Sequence, residues 1–260
     1  MFIDSHAHLA MTIREKGVPV SDIIDEMIKN NVSAVVDICG TVDEFEFSLS
    51  LEALFRSSGI KLFHAAGIHP HESAQFIDSD ISWIAGNSDS IIAIGEVGLD
   101  FHYDFSPRDI QEKTLRKMIG ISIETQKPLI IHGRNAEDRI MDIIEEYDMN
   151  TINVLFHCYT GSLMTAQRML KKGYFISFSG ILTFKKNSGV SEVFDSSDKN
   201  RLFFETDSPF LSPVPFRGVV NTPGKVKYVY EKAAITLNEE IVPFSAKIKD
   251  NFNIFFNVTI

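Results

Sequence analysis

Short apolar runs alternate with helical patterns along almost the whole chain, and this alternation restricts the fold more than any other feature. Each run is rich in β-branched or large apolar residues and ends near a small or polar one. The eight runs are FIDSH (2–6), SAVVDIC (33–39), KLFHAAGI (61–68), IIAIGEV (91–97), PLIIHG (128–133), NVLFHCY (153–159), YFISFSG (174–180) and LFFETD (202–207). Near-continuous apolar strands separated by helices are typical of a parallel sheet covered on both faces. Eight of them in 260 residues predict an α/β fold, a (β/α)8 TIM barrel, with one domain over residues 1–260.

The segments between the strands differ in how clearly they predict helices. Five patterns are distinct: SDIIDEMIKN, DEFEFSLSLEALFRSS, SPRDIQEKTLRKMIGISIETQ, NAEDRIMDIIEEY and SLMTAQRMLKK. Ser106 and Pro107 fit the N-cap and first position of the third helix, and Gly173 fits the C-terminal end of the fifth. The stretch 185–200 is only weakly periodic, and the chain is helical in pattern again after residue 223. These segments would form the outer ring of the barrel.

Composition excludes several classes of protein. The chain carries 25 basic and 35 acidic residues, a formal net charge of −10, which is not the basic footprint of a protein that coats nucleic acid. No apolar run approaches the roughly 20 residues needed to cross a membrane, and no secretory signal pattern is present. Two cysteines are too few for a disulfide framework. We therefore expect a cytoplasmic enzyme with no membrane association and no obligate protein partner.

Ionisable side chains follow the strands at the end where a barrel enzyme carries its active site. The first strand contains Asp4, and two histidines follow it at alternate positions, so that all three side chains point to one face. The candidate ligands in the whole chain are His6, His8, Glu96, His132, His157 and Asp207. A lone histidine in an apolar strand is usually a hydrogen-bonded core residue. Six such groups at one end of a barrel predict a shared metal site, because buried charges need partners or metals.

The motifs around these residues resemble those of the TatD-type metal-dependent hydrolases, also called TatD-related deoxyribonucleases. The matching stretches are DSHAHL, GIHPH (67–71), AIGEVGLDF (93–101), IHGRNAED (131–138), LFHCYTGS (155–162), ISFSGILTF (176–184) and ETDSPFLSPVPFRG (205–218). They occur in order from residue 3 to about residue 256. One loop departs from the family's usual Arg-x-Gly-x-Arg-Asn-Glu-Pro-like pattern. RGVVNTPG (217–224) has Val220 in place of the second basic residue and Thr222 in place of the glutamate.

The resemblance implies a barrel of the metal-dependent hydrolase type with two divalent metal ions, and it gives each ligand a role. One ion is held by His6, His8 and Asp207, the other by His132 and His157, and Glu96 bridges both. Water activated between the two ions would attack the substrate. Asp207 would accept its proton, so that Asp207 and Glu96 are the predicted catalytic residues. Imidazole ligands favour zinc or manganese, whereas the family is commonly described as magnesium-dependent.

Several residues near the predicted centre have two interpretations each. His69 is either a contact for a substrate phosphate or a loop cap, and Arg217 is either a phosphate clamp or a solvated surface side chain. Asp4 either orients a histidine or bonds to the backbone, and Glu205 is interpreted as structural rather than catalytic. The loop DFHYDFSPRD (100–109) carries aromatic rings that either stack on unpaired bases or pack against neighbouring helices.

The predicted function is a divalent-metal-dependent deoxyribonuclease with DNA as its substrate. A barrel mouth lined by loops suits a single-stranded DNA end better than the middle of a duplex. The alternative is a hydrolase of the same superfamily that cleaves a carboxylic ester or amide, such as an aminoacyl ester on RNA, because the same metals can polarise a carbonyl. A non-catalytic barrel used as a binding scaffold is disfavoured, since every ligand position is filled.

Overall fold

Eight parallel strands form a barrel in the part of the chain that the structure, a computed structural model, describes: residues 1–76 and 78–260. Each strand pairs in parallel with the next one in the chain. Their bounds are β1 Phe2–Ala7, β2 Val32–Cys39, β3 Lys61–Ala66, β4 Ala93–Asp100, β5 Leu129–Arg134, β6 Val154–Phe156, β7 Phe175–Phe178 and β8 Leu202–Phe204. Each of the eight predicted strands overlaps one of these, so the predicted TIM barrel is confirmed.

The end of the last strand returns to the first and closes the barrel. A parallel bridge joins Ala7 to Ser208, just beyond β8. The backbone N–H of Asp207 donates to the carbonyl of His6 at 3.0 Å, and that of His8 donates to the carbonyl of Ser208 at 2.9 Å. Main-chain hydrogen bonds therefore place two histidines of the first strand beside an aspartate that follows the last one.

Helices cover the outside of the barrel. Their bounds are α1 Val20–Lys29, α2 Val42–Ser57, α3 Asp78–Gly86, α4 Arg108–Thr125, α5 Glu137–Ile144, α6 Leu163–Lys171, α7 Ser188–Ser196, α8 Val226–Thr236 and α9 Ile241–Phe256. The ring centroid of Phe255 on α9 lies 5.1 Å from that of Phe175 and 5.4 Å from that of Phe203, edge to face in both cases. This apolar contact ties the outer layer to the strands. Among the described residues, no helix combines the length and the apolar character needed to cross a membrane.

The start of α4 differs from the sequence prediction. The helix begins at Arg108 after Pro107, and Ser106 makes no cap hydrogen bond to it. Instead, the Ser106 hydroxyl donates to the carbonyl of His71 at 2.7 Å and accepts from the N–H of Ala74 at 3.1 Å. The prediction of a Ser106 cap is therefore wrong, because a partner on another loop takes the hydroxyl. The Gly173 prediction is confirmed, since this residue follows α6 with a φ of 81°.

One glycine lets β4 approach β5 more closely than any side chain would permit. Gly98 has a φ of 152°, and a Cβ built on it would lie 1.9 Å from the carbonyl oxygen of His132. Real Cβ atoms do not come so near to backbone oxygen, so the two strands would have to separate. His132 is one of the predicted ligands, and this contact therefore sets how far its strand lies from Glu96.

We expect Gly98→Ala to lower the free energy of unfolding by about 3 kcal/mol or more, because overpacking and backbone strain act together. Chemical denaturation measures the change. Gly120→Ala is the matched control, since Gly120 is exposed on α4 and no atom lies within 4 Å of the added Cβ. That substitution should stabilise the protein by about 0.5–1 kcal/mol. Equal denaturation midpoints for Gly98→Ala and the wild type would show that the strands adjust freely.

Candidate metal centre

The predicted ligands converge on the mouth of the barrel. They lie on β1, β4 and β5 or within three residues after β1, β6 and β8: His6, Glu96, His132, His8, His157 and Asp207. Glu96 was expected at the end of β4, but the strand continues to Asp100, because Val97–Asp100 still pair with β5. Glu96 therefore projects from within the strand, deeper in the mouth than predicted, and only 5% of its side chain is exposed.

The Glu96 carboxylate lies at the centre and has two sides. Its Oε1 is 2.7 Å from His132 Nδ1 and 2.6 Å from His157 Nε2. Its Oε2 is 3.2 Å from His6 Nε2 and 3.8 Å from His8 Nε2. Each carboxylate oxygen thus faces a different pair of histidines, an arrangement that allows one carboxylate to serve two neighbouring cations.

Asp207 completes the side formed by the first strand. Its Oδ1 lies 3.4 Å from His8 Nε2 and 3.9 Å from His6 Nε2. Its φ of 54° is in the left-handed region, which aspartate and asparagine adopt more readily than most residues. The backbone turn there, anchored to β1, directs the carboxylate back over the mouth.

His6 provides a test of whether these residues fit a metal. The side chain is fully buried, and neither ring nitrogen has a hydrogen-bond partner among the described residues. Nε2 is 3.2 Å from Glu96, but without hydrogen-bonding geometry. An unpartnered buried imidazole is costly, and a metal ion would satisfy Nε2, the nitrogen that faces Glu96. Neutral imidazoles with carboxylates are the donor set of transition-metal sites, so the residues fit.

Two clusters of potential ligand atoms share Glu96. His6, His8 and Glu96 form one, and His69, Glu96 and His132 form the other. In each cluster the ligand atoms lie within 4.8 Å of one another. The first contains His6 and His8 of the predicted first group together with the shared Glu96, but not Asp207, and a further cluster joins His6 to His157 and Glu205. The second brings His69 into reach of the centre, although the sequence suggested only a substrate contact or a loop cap for it.

The carboxylates of the centre are ionised at neutral pH. Burial alone would raise the pKa of Glu96, but the nearby charges of His157 and His6 outweigh it and hold the pKa well below its usual range. Burial likewise opposes the ionisation of Asp207, yet the hydrogen bond with His8 keeps the pKa of Asp207 below its ordinary value. Burial lowers the pKa of His69 to about 3, so that this imidazole is neutral. Burial alone would lower the pKa values of His8, His132 and His157, but the adjacent carboxylates raise them, that of His8 to about 9. Because metals bind neutral imidazoles, metal binding here would release protons from these rings.

Glu205 contacts the ring nitrogen of His157 that faces away from Glu96. Its Oε1 lies 3.2 Å from His157 Nδ1, and its Oε2 accepts a 2.6 Å hydrogen bond from the hydroxyl of Ser177. A carboxylate that binds the second ring nitrogen fixes both the tautomer and the orientation of a ligand histidine. The structural interpretation of Glu205 was therefore incomplete, because this residue directs His157 Nε2 towards Glu96.

Asp100 orients His132 by contacting its second ring nitrogen. This residue was not identified from the sequence. Its Oδ2 lies 3.3 Å from His132 Nε2 and 2.8 Å from His71 Nε2. Its Oδ1 accepts hydrogen bonds from the backbone N–H groups of His102 and Tyr103, both at 2.9 Å. A signal was available, because Asp100 follows Glu96 by four residues, and positions two and four apart on a strand share a face.

Asp4 belongs to the barrel seam rather than to the metal ligands. Its Oδ1 accepts from the N–H of Thr206 at 2.9 Å, and its Oδ2 accepts from the Thr206 hydroxyl at 2.5 Å. Of the two interpretations, bonding to the backbone is therefore the one observed. The contact ties β1 to the segment after β8, directly below the metal-ligand residues.

A cavity of about 1170 Å³ opens over the centre. Of the two predicted substrate contacts, His69 and Arg217, only the first is among the described residues that line it. His69 lines it, with Nε2 3.7 Å from Glu96 Oε1, and it also caps the next turn by accepting from the N–H of His71. Arg217 is not among the described residues that line the cavity. Its guanidinium lies 3.8 Å over the ring of Phe184 and donates to the carbonyl of Ser212. A phosphate contact by Arg217 requires it to leave Phe184, and it stays a prediction.

The atypical loop is held by a buried network. The Thr222 hydroxyl contacts Glu26 of α1, and it accepts a 2.6 Å hydrogen bond from Lys225 Nζ. Lys225 Nζ also lies 3.2 Å from Glu26 Oε1. A carboxylate from another helix thus stands next to the position where the family usually has its own glutamate. Although Thr222 replaces the glutamate of the family pattern, the buried Lys225 still has a carboxylate partner, Glu26.

Comparisons with known proteins agree on family and fold. A family model described as TatD related DNase matches residues 3–257. An uncharacterized metal-dependent hydrolase of Bacillus subtilis, YabD, is 34% identical over 236 residues, covering 90% of each chain. The 3'-5' ssDNA/RNA exonuclease TatD of Salmonella typhimurium is 28% identical over 200 residues, covering 74% of this chain and 77% of its own. The crystal structure of YJJV, a TatD homologue from Escherichia coli, has a TM-score of 0.89 at 22% identity, covering 99% of this chain and 98% of its own.

Proposed function

Because this chain belongs to the family of TatD-related DNases, we propose that it is a divalent-metal-dependent phosphodiesterase that hydrolyses DNA from accessible single-stranded ends. The observation that carries the proposal is the two-sided Glu96 carboxylate, with one oxygen towards each pair of histidines. The name of the Salmonella relative, an exonuclease for single-stranded DNA and RNA, supports both the substrate class and the need for a strand end.

Two divalent ions at this centre would polarise a phosphodiester and lower the pKa of water. We assign the ligands of one to His6, His8 and Asp207 and those of the other to His132 and His157, with Glu96 shared. Zinc or manganese suits the imidazoles for tight binding, whereas magnesium would support turnover.

Two residues of the chain would act on the substrate side of the centre. Asp207 lines the cavity, is ionised and is 16% exposed, and these properties support the proposal that it accepts the proton of the attacking water. Its position next to His8 leaves the carboxylate within reach of both ligand and solvent. His69, neutral at working pH and facing the same cavity, would contact a phosphate oxygen through Nε2.

A substrate panel tests the proposal. The metal-loaded protein is incubated with end-labelled linear single-stranded DNA, a circular single strand of the same sequence, RNA of that sequence, and an aminoacyl ester. We expect stepwise release of nucleotides from the linear strand and no cleavage of the circle, because a circle offers no end. Asp207→Asn is the control for a contaminating nuclease. Hydrolysis of the ester alone would overturn the proposal in favour of carbonyl chemistry, and rapid cutting of the circle would overturn the requirement for an end.

A further inference from the structure

Two exposed aromatic rings lie side by side at the mouth of the cavity. The rings of Tyr103 and Phe105 are nearly parallel, at 16°, with centroids 5.3 Å apart. Tyr103 is 47% exposed and Phe105 68% exposed. Tyr103 also lines the cavity that contains the metal ligands. Large apolar groups left open to water beside a catalytic cavity mark a binding surface.

The loop that carries these rings is fixed in place. Asp100 accepts hydrogen bonds from two consecutive backbone N–H groups, at His102 and Tyr103. At the C-terminal end of the loop, the Ser106 hydroxyl donates to the carbonyl of His71, which follows β3. Arg108 forms a bidentate ion pair with Asp104, with N–O distances of 2.8 and 2.7 Å. A surface that is ordered before binding loses little entropy when a ligand arrives.

The rings also connect to the metal ligands through short contacts. The imidazole of His71 lies edge-on to both rings, with centroids 4.7 Å from Phe105 and 5.6 Å from Tyr103. The same imidazole bonds to Asp100, which contacts the ligand His132. A group resting on the rings therefore lies next to the part of the cavity where the scissile bond is expected.

A cation without a carboxylate partner adjoins the rings. The guanidinium of Arg134, at the end of β5, lies 4.6 Å over the ring of Tyr103 and lines the cavity. It is exposed and forms no ion pair with any described residue. Phe101 of the same loop differs from Tyr103 and Phe105 because its ring packs on the core.

We infer that Tyr103 and Phe105 form a stacking platform for an unpaired nucleobase of the substrate strand, and that Arg134 binds a phosphate next to that base. Phe105, the more exposed of the two stacked rings, can take any base on its ring, and a guanidinium without a carboxylate partner suits the phosphate that follows. The combination fits a single strand rather than a duplex, whose bases are already stacked. The inference rests on the proposed function and specifies which parts of the strand the protein contacts.

The test compares two 12-nucleotide single strands: oligothymidylate and a strand of the same length made wholly of abasic nucleotides. Hydrolysis gives KM for both with the metal-loaded full-length protein, and fluorescence anisotropy gives Kd for both. The variants are Tyr103→Ala with Phe105→Ala, the conservative Phe105→Trp, and Arg134→Gln. Ile235→Ala, a change at another exposed apolar residue on α8, is the matched control.

We expect the double alanine variant to raise KM and Kd for oligothymidylate at least about fivefold, the lower end for one stacked base. Its values for the abasic strand should change less, because only the support of Arg134 by the Tyr103 ring is lost there, and Phe105→Trp should bind both strands as the wild type does. Arg134→Gln should weaken the binding of both strands to the same extent. It should also reduce the salt dependence of binding by about one counterion.

Equal wild-type affinity for the two strands, or no change in the double variant, overturns the platform. If neither strand is hydrolysed, the result counts against the proposed function. The anisotropy data then still decide whether the rings bind bases. An effect of Arg134→Gln on oligothymidylate alone would overturn the phosphate contact.

Discussion

Asp207→Asn is expected to lower single-turnover hydrolysis of single-stranded DNA by about 10²-fold or more, while the protein stays folded and retains metal. Asparagine keeps the size of the side chain and an oxygen that can ligate, but it loses the charge and the basicity needed to accept a proton. It also tolerates the left-handed backbone at this position, where φ is 54°. The loss is therefore assigned to chemistry rather than to a rearranged turn.

His157→Ala distinguishes loss of a base from loss of a metal. His157 Nε2 lies 2.6 Å from Glu96 and its ring is held by Glu205, so that its removal deprives one side of the centre of a ligand. We expect this variant to lose one ion together with its activity. Metal content and single-turnover rate are measured side by side for both variants. Near wild-type cleavage by Asp207→Asn with both ions bound would assign the proton to another acceptor, such as Glu96.

Removal of the metals is expected to abolish hydrolysis and to lower the melting temperature by about 5 °C or more, since each ion that binds only the folded state stabilises it. The buried His6 ring, without a hydrogen-bond partner among the described residues, is one source of this loss. The experiment treats purified protein with a chelator, confirms removal by elemental analysis and follows both activity and thermal unfolding.

Added manganese or magnesium should restore both the activity and the melting temperature. Chelated His157→Ala provides the comparison, because it should show a smaller thermal shift than the wild type when one ion is already absent. Full activity in protein shown to be metal-free would contradict the assignment of the centre.

The barrel was predictable from sequence because each strand is a short apolar run bounded by polar or small residues. Helix α3 was not predicted, since DSDISWIAG carries no clear amphipathic period and the element depends on packing against the barrel. The weakly periodic stretch after residue 184 does contain a helix, α7. Local patterns sufficed where burial follows a regular period, and they failed where tertiary contact determines the structure.

For the candidate site, strand position located the six proposed ligands but not their supports. Chain order does not reveal that Glu205 reaches His157, because the contact joins segments that follow different strands. For Asp100, strand alternation indicates the face it shares with Glu96 but not its contact with His132 on the next strand. The aromatic loop illustrates the same limit. Its composition suggested both base stacking and packing, and only the folded loop separates exposed Phe105 from Phe101, which packs on the core.

The seam between the first and last strands has a consequence for a chain emerging from the ribosome. Asp4 and Thr206, which join there, are 202 positions apart, and the proposed ligands His6 and Asp207 flank the same seam. Half of the centre therefore remains incomplete until nearly the whole chain has been synthesised and the barrel has closed. A nascent polypeptide therefore lacks the complete set of proposed ligands, and the centre can assemble only when the barrel closes.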